Sequence, residues 1–173
     1  MKTLTALLLA ISLNAMAETP DTLKTDTAES AKPVFTVIKE NPITSIKNQS
    51  RSGTCWDYST LAFFESEILK KTGKEYDLAE MFVCNKNYMD RAVQTVRLHG
   101  DMQFEQGGSA YDVQYILKNY GICPESAMPL PGQMYGDTLN NFSEFFIVMP
   151  SYVKTLATSK LQKLSPAWRA GLQ

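Results

Sequence analysis

Cys55 and Trp56 follow a turn-rich stretch, Asn48-Gln49-Ser50-Arg51-Ser52-Gly53-Thr54, and open a long apolar, helix-compatible segment that runs to Lys71. No other junction constrains this chain as much. A cysteine in the first turn of such a helix sits at the positive end of the macrodipole, where negative charge on sulfur is favoured. Gln49, six positions upstream, can offer a carboxamide N–H to an oxygen that develops negative charge beside that sulfur. The backbone N–H of Cys55 would be the second donor. Gly53 suits a backbone that must turn tightly to present the thiol. Trp56 reads as a packing residue. Attack by a Cys55 thiolate on an amide or ester carbonyl would pass through a tetrahedral oxyanion to a thioester.

The 173 residues suffice for one domain with a proper core. Residues 1–17 read as a signal peptide: Lys2 at the start, an apolar run from Leu4 to Leu13, and the small-x-small site Ala15-Met16-Ala17. The apolar run is too short to span a bilayer. Export from a bacterial cytoplasm, to the periplasm or medium, is therefore expected, with no membrane span after cleavage. Residues 18–33, rich in Thr, Asp, Glu and Ala, read as a flexible linker. Loss of Lys2 moves the formal charge from −1 to −2, and the 17 Lys and Arg are dispersed among 18 acids. Nucleic-acid binding needs clustered positive charge and is disfavoured.

Between residues 34 and 173 the pattern is mainly helical. A short strand is expected at 34–38, and the main helix over 55–71 ends at Gly73. Asp77-Leu78-Ala79-Glu80 resembles an acidic capping box for a second helix toward Tyr88. A third helix is expected from Asp90 to Leu98. Ser109 can cap a fourth that ends at Gly121. The stretch 124–137 reads as irregular, 141–149 as either helix or strand, and 151–163 as helix. Ser165-Pro166 is a helix start with seven residues after it, as if the sequence stopped inside an element. Three cysteines leave Cys84 and Cys123 either as a pair or as buried inert thiols if Cys55 is the free nucleophile.

The wording around Cys55 resembles the catalytic segment of papain-like cysteine peptidases, and Asn48 to Trp56 looks most like the bleomycin hydrolase/aminopeptidase C branch. The likeness extends from about Val34 to the C-terminus, through the 77–99 region, Gln106-Gly107-Gly108-Ser109 and Leu164-Ser165-Pro166-Ala167-Trp168. It implies an α+β papain-like fold, of which the portion present is mainly the helical left-hand domain with the start of a helical insertion. It also implies Cys55 as nucleophile, Gln49 as oxyanion-hole donor, and Gly107 and Gly108 lining the substrate cleft. No cofactor or metal is implied, the expected partners are peptide substrates, and full-length relatives are expected to be homo-oligomeric. The branch generally works without disulfides.

Two departures stand out. Asp57 occupies a position where the family usually carries an uncharged residue, and a carboxylate there would oppose thiolate formation if it faced the sulfur. The base and its orienting asparagine, in this family, lie about 130 residues or more past the cysteine. The sole histidine, His99, is 44 positions on, before Gly100 at an expected helix end. With the catalytic His and Asn absent, the expectation is a peptidase portion inactive alone. The alternatives are a non-catalytic peptide-binding or scaffold remnant and, less favoured, a papain-like endopeptidase.

Overall fold

The computed structural model describes residues 34–128, 139–161 and 163–172, so the expected signal peptide and linker lie outside the described residues. Four α-helices carry the architecture: α1 Cys55–Thr72, α2 Glu80–Arg97, α3 Ala110–Tyr120 and α4 Phe145–Ala157. Short 3-10 turns occupy Glu125–Ala127 and Pro166–Leu172. Val34, Phe35, Val37 and Ile38 are exposed and outside any element, so the strand expected there is not formed. Extended pairing among the described residues is limited to two isolated bridges, Arg51 with Asn141 and Leu78 with Pro124.

Helix α1 ends as its sequence dictates. Gly73 adopts φ 68° and its N–H bonds to Leu69 O, the left-handed stop that glycine allows without steric cost. Helix α3 begins as its sequence dictates too, because Asp112 Oδ2 accepts from both the N–H and the hydroxyl of Ser109, at 2.7 and 2.9 Å. The two helices expected across 77–98 are instead one continuous 18-residue helix, α2. No glycine or proline interrupts Tyr88-Met89-Asp90, so nothing local breaks the ladder there. Likewise, the ambiguous stretch after Asn141 and the helix expected at 151–163 merge into α4, which accommodates Pro150. The helix start at Ser165-Pro166 yields a 3-10 turn rather than an α-helix.

Helix α2 is the hub, packed on α1, α3 and α4. Leu61, Val83, Val113, Ile116 and Val153 are fully buried where these helices meet. Tyr88 sits among Phe104, Phe142, Phe145 and Phe146, with its ring centroid 5.2 Å from that of Phe146 in an edge-on contact. Edge-to-face aromatic pairs add about 0.5–1.5 kcal/mol beyond the area they bury. This cluster decides the fate of the 141–149 stretch: Phe145 and Phe146 reach α2 from one face of a helix.

The expected capping box at Asp77–Glu80 does not form. Ala79 is the N-cap residue and offers no side-chain cap. Both carboxylates turn instead to Lys47, whose Nζ lies 2.7 Å from Asp77 Oδ1, 2.7 Å from Glu80 Oε1 and 2.9 Å from Glu65 Oε1. It also donates to Leu78 O at 3.1 Å. Glu65, 1% exposed, accepts in addition from Thr44 Oγ1 and from Leu78 N. Burial disfavours the ammonium charge, but hydrogen bonds to Asp77, Glu80 and Glu65 outweigh it and hold Lys47 above the ordinary lysine range. The cluster ties the segment before the nucleophile to the middle of α1 and the start of α2.

Candidate active site

The segment before α1 is folded by local polar contacts. Asn48 Oδ1 accepts from Ser50 N at 2.8 Å, and Ser50 takes φ 50°. Ser52 Oγ donates to Gln49 O at 2.6 Å. Ser52 and Thr54 are fully buried, with their hydroxyls bonded to each other. Arg51 N donates to Asn140 O, and Phe142 N donates to Arg51 O, so the chain ahead of α4 braces this turn from the side. Gly53, at φ 61°, completes the turn. A Cβ there would push aside the flexible end of the Gln106 side chain, so glycine is favoured chiefly by its backbone angle.

Cys55 emerges from this turn as the first residue of α1, and its thiol is exposed. Asp57 N and Tyr58 N both bond to Thr54 O. The N–H of Cys55 therefore lies ahead of the intrahelical ladder, among the donors that a helix N-terminus leaves for other partners. Gln49 lies half-buried on the preceding turn. Thiol and N-terminal dipole are thus placed together as the sequence predicts.

Asp57 does not face the thiol. Positions two apart on a helix point nearly opposite ways, and Asp57 is fully buried while Cys55 is exposed. Its Oδ2 accepts from Cys84 Sγ at 3.1 Å, and its Oδ1 has no partner among the described residues. Burial pushes the carboxyl up to about 8, with the Glu80 charge adding to the shift and the Cys84 bond and Lys47 opposing it. At neutral pH Asp57 is therefore largely uncharged, and the like-charge repulsion expected from the sequence does not arise. Cys84 and Cys123 are both free, so they form no disulfide. Cys84 is buried in the core, and desolvation pushes its thiol well up.

The Gln106-Gly107-Gly108 loop lies directly against α1. Trp56 Nε1 donates to Gln106 O at 3.0 Å, and Tyr88 Oη donates to the same oxygen at 3.0 Å. Burial holds the Tyr88 phenol protonated well above its ordinary range, so it remains a donor. A Cβ on Gly108 would stand 2.5 Å from Trp56 Cδ2 and 2.6 Å from Cε2. Gly107 has nothing within 4 Å of its Cβ position, and both glycines are exposed. Trp56 is thus more than packing: it joins the nucleophile helix to the glycine pair. A Gly108→Ala substitution is expected to cost about 1–3 kcal/mol by overpacking. Urea denaturation reads this as a lower midpoint; an unchanged midpoint would contradict the close contact.

His99 lies past the end of α2, exposed, at φ 53°, with its N–H on Val96 O. No contact between it and Cys55 is found among the described residues. The structure therefore joins Cys55, Trp56 and the glycine pair, and leaves His99 outside the group. No cluster of His, Cys, Asp or Glu able to hold a metal occurs among the described residues. Sequence reasoning missed Arg91, which binds the loop from beneath, and Tyr88. Their only sequence signal was a polar and an aromatic residue on a helix, which points to nothing in particular.

An exposed cysteine at a helix N-terminus, joined through its neighbouring tryptophan to a glycine pair, lies within a mainly helical papain-like fold. The chain belongs to the papain family of cysteine proteases, whose model matches residues 34–164. It is similar to human cathepsin L2, with 28% identity over 146 residues that are 77% of this chain and 40% of that protein. Cysteine proteinase 2 of Dictyostelium discoideum is 31% identical over 125 residues, 70% of this chain and 30% of its own. Cathepsin K of Mus musculus is 32% identical over 95 residues, 55% and 26% of the two chains. The chain therefore spans less than half the length of these relatives. They are cathepsins and a cysteine proteinase, so the family is established, whereas the narrower bleomycin hydrolase/aminopeptidase C branch is not shown by them.

Proposed function

We propose that this chain carries the nucleophile half of a cysteine peptidase, with Cys55 attacking a peptide carbonyl and the Gly107-Gly108 loop holding the peptide backbone. The supporting observation is the exposed Cys55 at the start of α1, coupled through Trp56 to a pair of solvent-exposed glycines. Attack by sulfur forms the C–S bond and moves the carbonyl electron pair onto oxygen. Gln49 and the Cys55 N–H are the proposed donors to that oxyanion. Collapse expels the amine, which must receive a proton from a general acid, and water then cleaves the thioester. His99 does not fill the proton-transfer role, so turnover needs a base that is not among the described residues. The finer reading, of an exported aminopeptidase C or bleomycin hydrolase type, rests on the signal-like pattern of residues 1–17 and on the Asn48–Trp56 wording.

The test is covalent. The 173-residue chain is treated near neutral pH with a peptidyl, thiol-directed electrophile and analysed by mass spectrometry of its tryptic peptides. One adduct per chain, on Cys55 and lost in Cys55→Ala, is expected. Adducts spread equally over Cys55 and Cys123 would contradict the proposal.

A peptide-binding remnant is the second reading, supported by the lack of any contact between His99 and Cys55 among the described residues. It predicts that a non-electrophilic peptide binds the chain while Cys55 reacts no faster than free cysteine.

A further inference from the structure

We infer that Arg91 is a positioning residue for the peptide cleft: it turns the peptide planes of the Glu105–Gly108 loop so that three successive N–H groups face away from the protein body. This rests on the proposed role of the Gly107-Gly108 loop and deepens it.

The geometry follows from which oxygens are engaged. Arg91 Nη1 donates to Glu105 O at 3.2 Å and also to Gly107 O. Between them, Gln106 O accepts from Trp56 Nε1 and Tyr88 Oη. Three consecutive carbonyls are therefore all drawn toward α1 and α2. In an extended strand successive carbonyls alternate sides, so this loop is not a strand. No peptide bond among the described residues is cis. In a planar trans peptide the N–H points opposite to the carbonyl of the same unit. The N–H groups of Gln106, Gly107 and Gly108 belong to these three units, so all three are directed outward. A row of outward donors on exposed glycines suits the carbonyl oxygens of an extended peptide, which would otherwise lose their water without replacement.

Arg91 is built to do this. Its guanidinium is a planar fork whose several donors act at once. The side chain is mostly buried, 18% exposed, with Nη2 held 3.3 Å from Asp112 Oδ2. Its Cζ lies 6.0 Å from the Trp56 ring. Asp112 also accepts from Ser109 at the start of α3, so the carboxylate that fixes the arginine fixes the loop's exit as well. A lysine would retain the charge but would have to serve both carbonyls and Asp112 with one compact ammonium, where Nη1 now takes the carbonyls and Nη2 the carboxylate.

The experiment compares the wild-type 173-residue chain with Arg91→Lys and Arg91→Gln. Each is labelled with the peptidyl electrophile, to separate the binding constant KI from the maximal rate kinact, and with iodoacetamide, which does not use the loop. Expected for both variants is a KI raised about tenfold, with kinact and the iodoacetamide rate at Cys55 unchanged. Arg91→Lys is the milder change and keeps the test valid if Arg91→Gln unfolds. An equal fall in both labelling rates, which marks a merely structural role, would overturn the inference. If the wild type shows no preference for the peptidyl reagent, the peptide-cleft reading itself falls. An unaltered KI in a variant of a wild type that does show it sinks only the role of Arg91.

Discussion

Lys47→Met is expected to destabilise the protein by about 3–5 kcal/mol, the range for removing one partner of a buried ionic cluster. The ammonium faces Glu65 and Glu80, whose side chains are 1% and 5% exposed, and the more open Asp77. Methionine fills a similar volume, so packing changes little. What changes is that two buried carboxylates lose their cation. They must then either remain charged without compensation or take up protons. Domains of this size are stable by only about 5–15 kcal/mol in total, so the variant should lie close to its unfolding transition at neutral pH. Lowering the pH should partly rescue it by protonating the orphaned Glu80, whose carboxyl burial already pushes up, and Glu65→Gln in the same chain should recover part of the loss. Urea denaturation at neutral and mildly acidic pH measures both effects. A loss below about 1 kcal/mol, typical of surface ion pairs, would show that the cluster is more solvated than its geometry indicates.

Asp57 should dominate the pH dependence of stability. Its carboxyl is raised from 3.8 to about 8 in the folded state, chiefly by burial. The folded protein therefore binds this proton more tightly than the unfolded chain does. The stability it contributes is fully present below about pH 4, declines as pH rises, and is lost once pH passes about 8. Between those limits one proton separates the two states, which sets a slope of up to about 1.4 kcal/mol per pH unit. The whole window is worth on the order of 5 kcal/mol. The groups that face Asp57 are Cys84, Glu80 and Lys47. Glu80 is itself raised by burial, so its contribution has the same sign. Asp57→Asn removes the titration and keeps the shape. It should flatten the decline between pH 5 and 8 and be more stable than the wild type at pH 9. Chemical denaturation at closely spaced pH values reads this directly, and a variant with the wild-type slope would refute the assignment.

The same two residues mark where sequence reasoning reached its limit. Local signals were legible wherever a residue acts on its own neighbourhood. Gly73 stops α1, Ser109 and Asp112 start α3, and Cys55 opens a helix after a tight turn. Asp77 and Glu80 carried an equally good local pattern, yet a lysine 30 or more residues upstream claimed both carboxylates. Tertiary pairing overrode the cap. Asp57 looked like a threat to the nucleophile because sequence spacing does not show which face is buried. Once Cys84 and the core cover it, its proton stays on and the conflict disappears.

The glycine pair was legible as a motif, but its function depends on donors that arrive from elsewhere. Trp56, Tyr88 and Arg91 reach it across 50, 18 and 16 positions of sequence. No periodicity of α2 announces that one arginine will hold two loop carbonyls. The aromatic run around Phe145 was ambiguous for the same reason. Its helical state is decided by Tyr88 and Phe104, far away in sequence. The strand expected at Val34–Ile38 had suitable residues and no partner, and side-chain composition alone does not make a strand.

The central claim is that Cys55 is a nucleophile set beside a peptide-binding loop. The most direct test is its second-order rate constant with a peptidyl electrophile, compared in one buffer with that of free cysteine. The structure predicts that Cys55 reacts at least about tenfold faster, an advantage of some 1.4 kcal/mol in the barrier, and that Gly108→Ala removes most of it. A rate equal to that of free cysteine, unchanged by Gly108→Ala, would contradict the account.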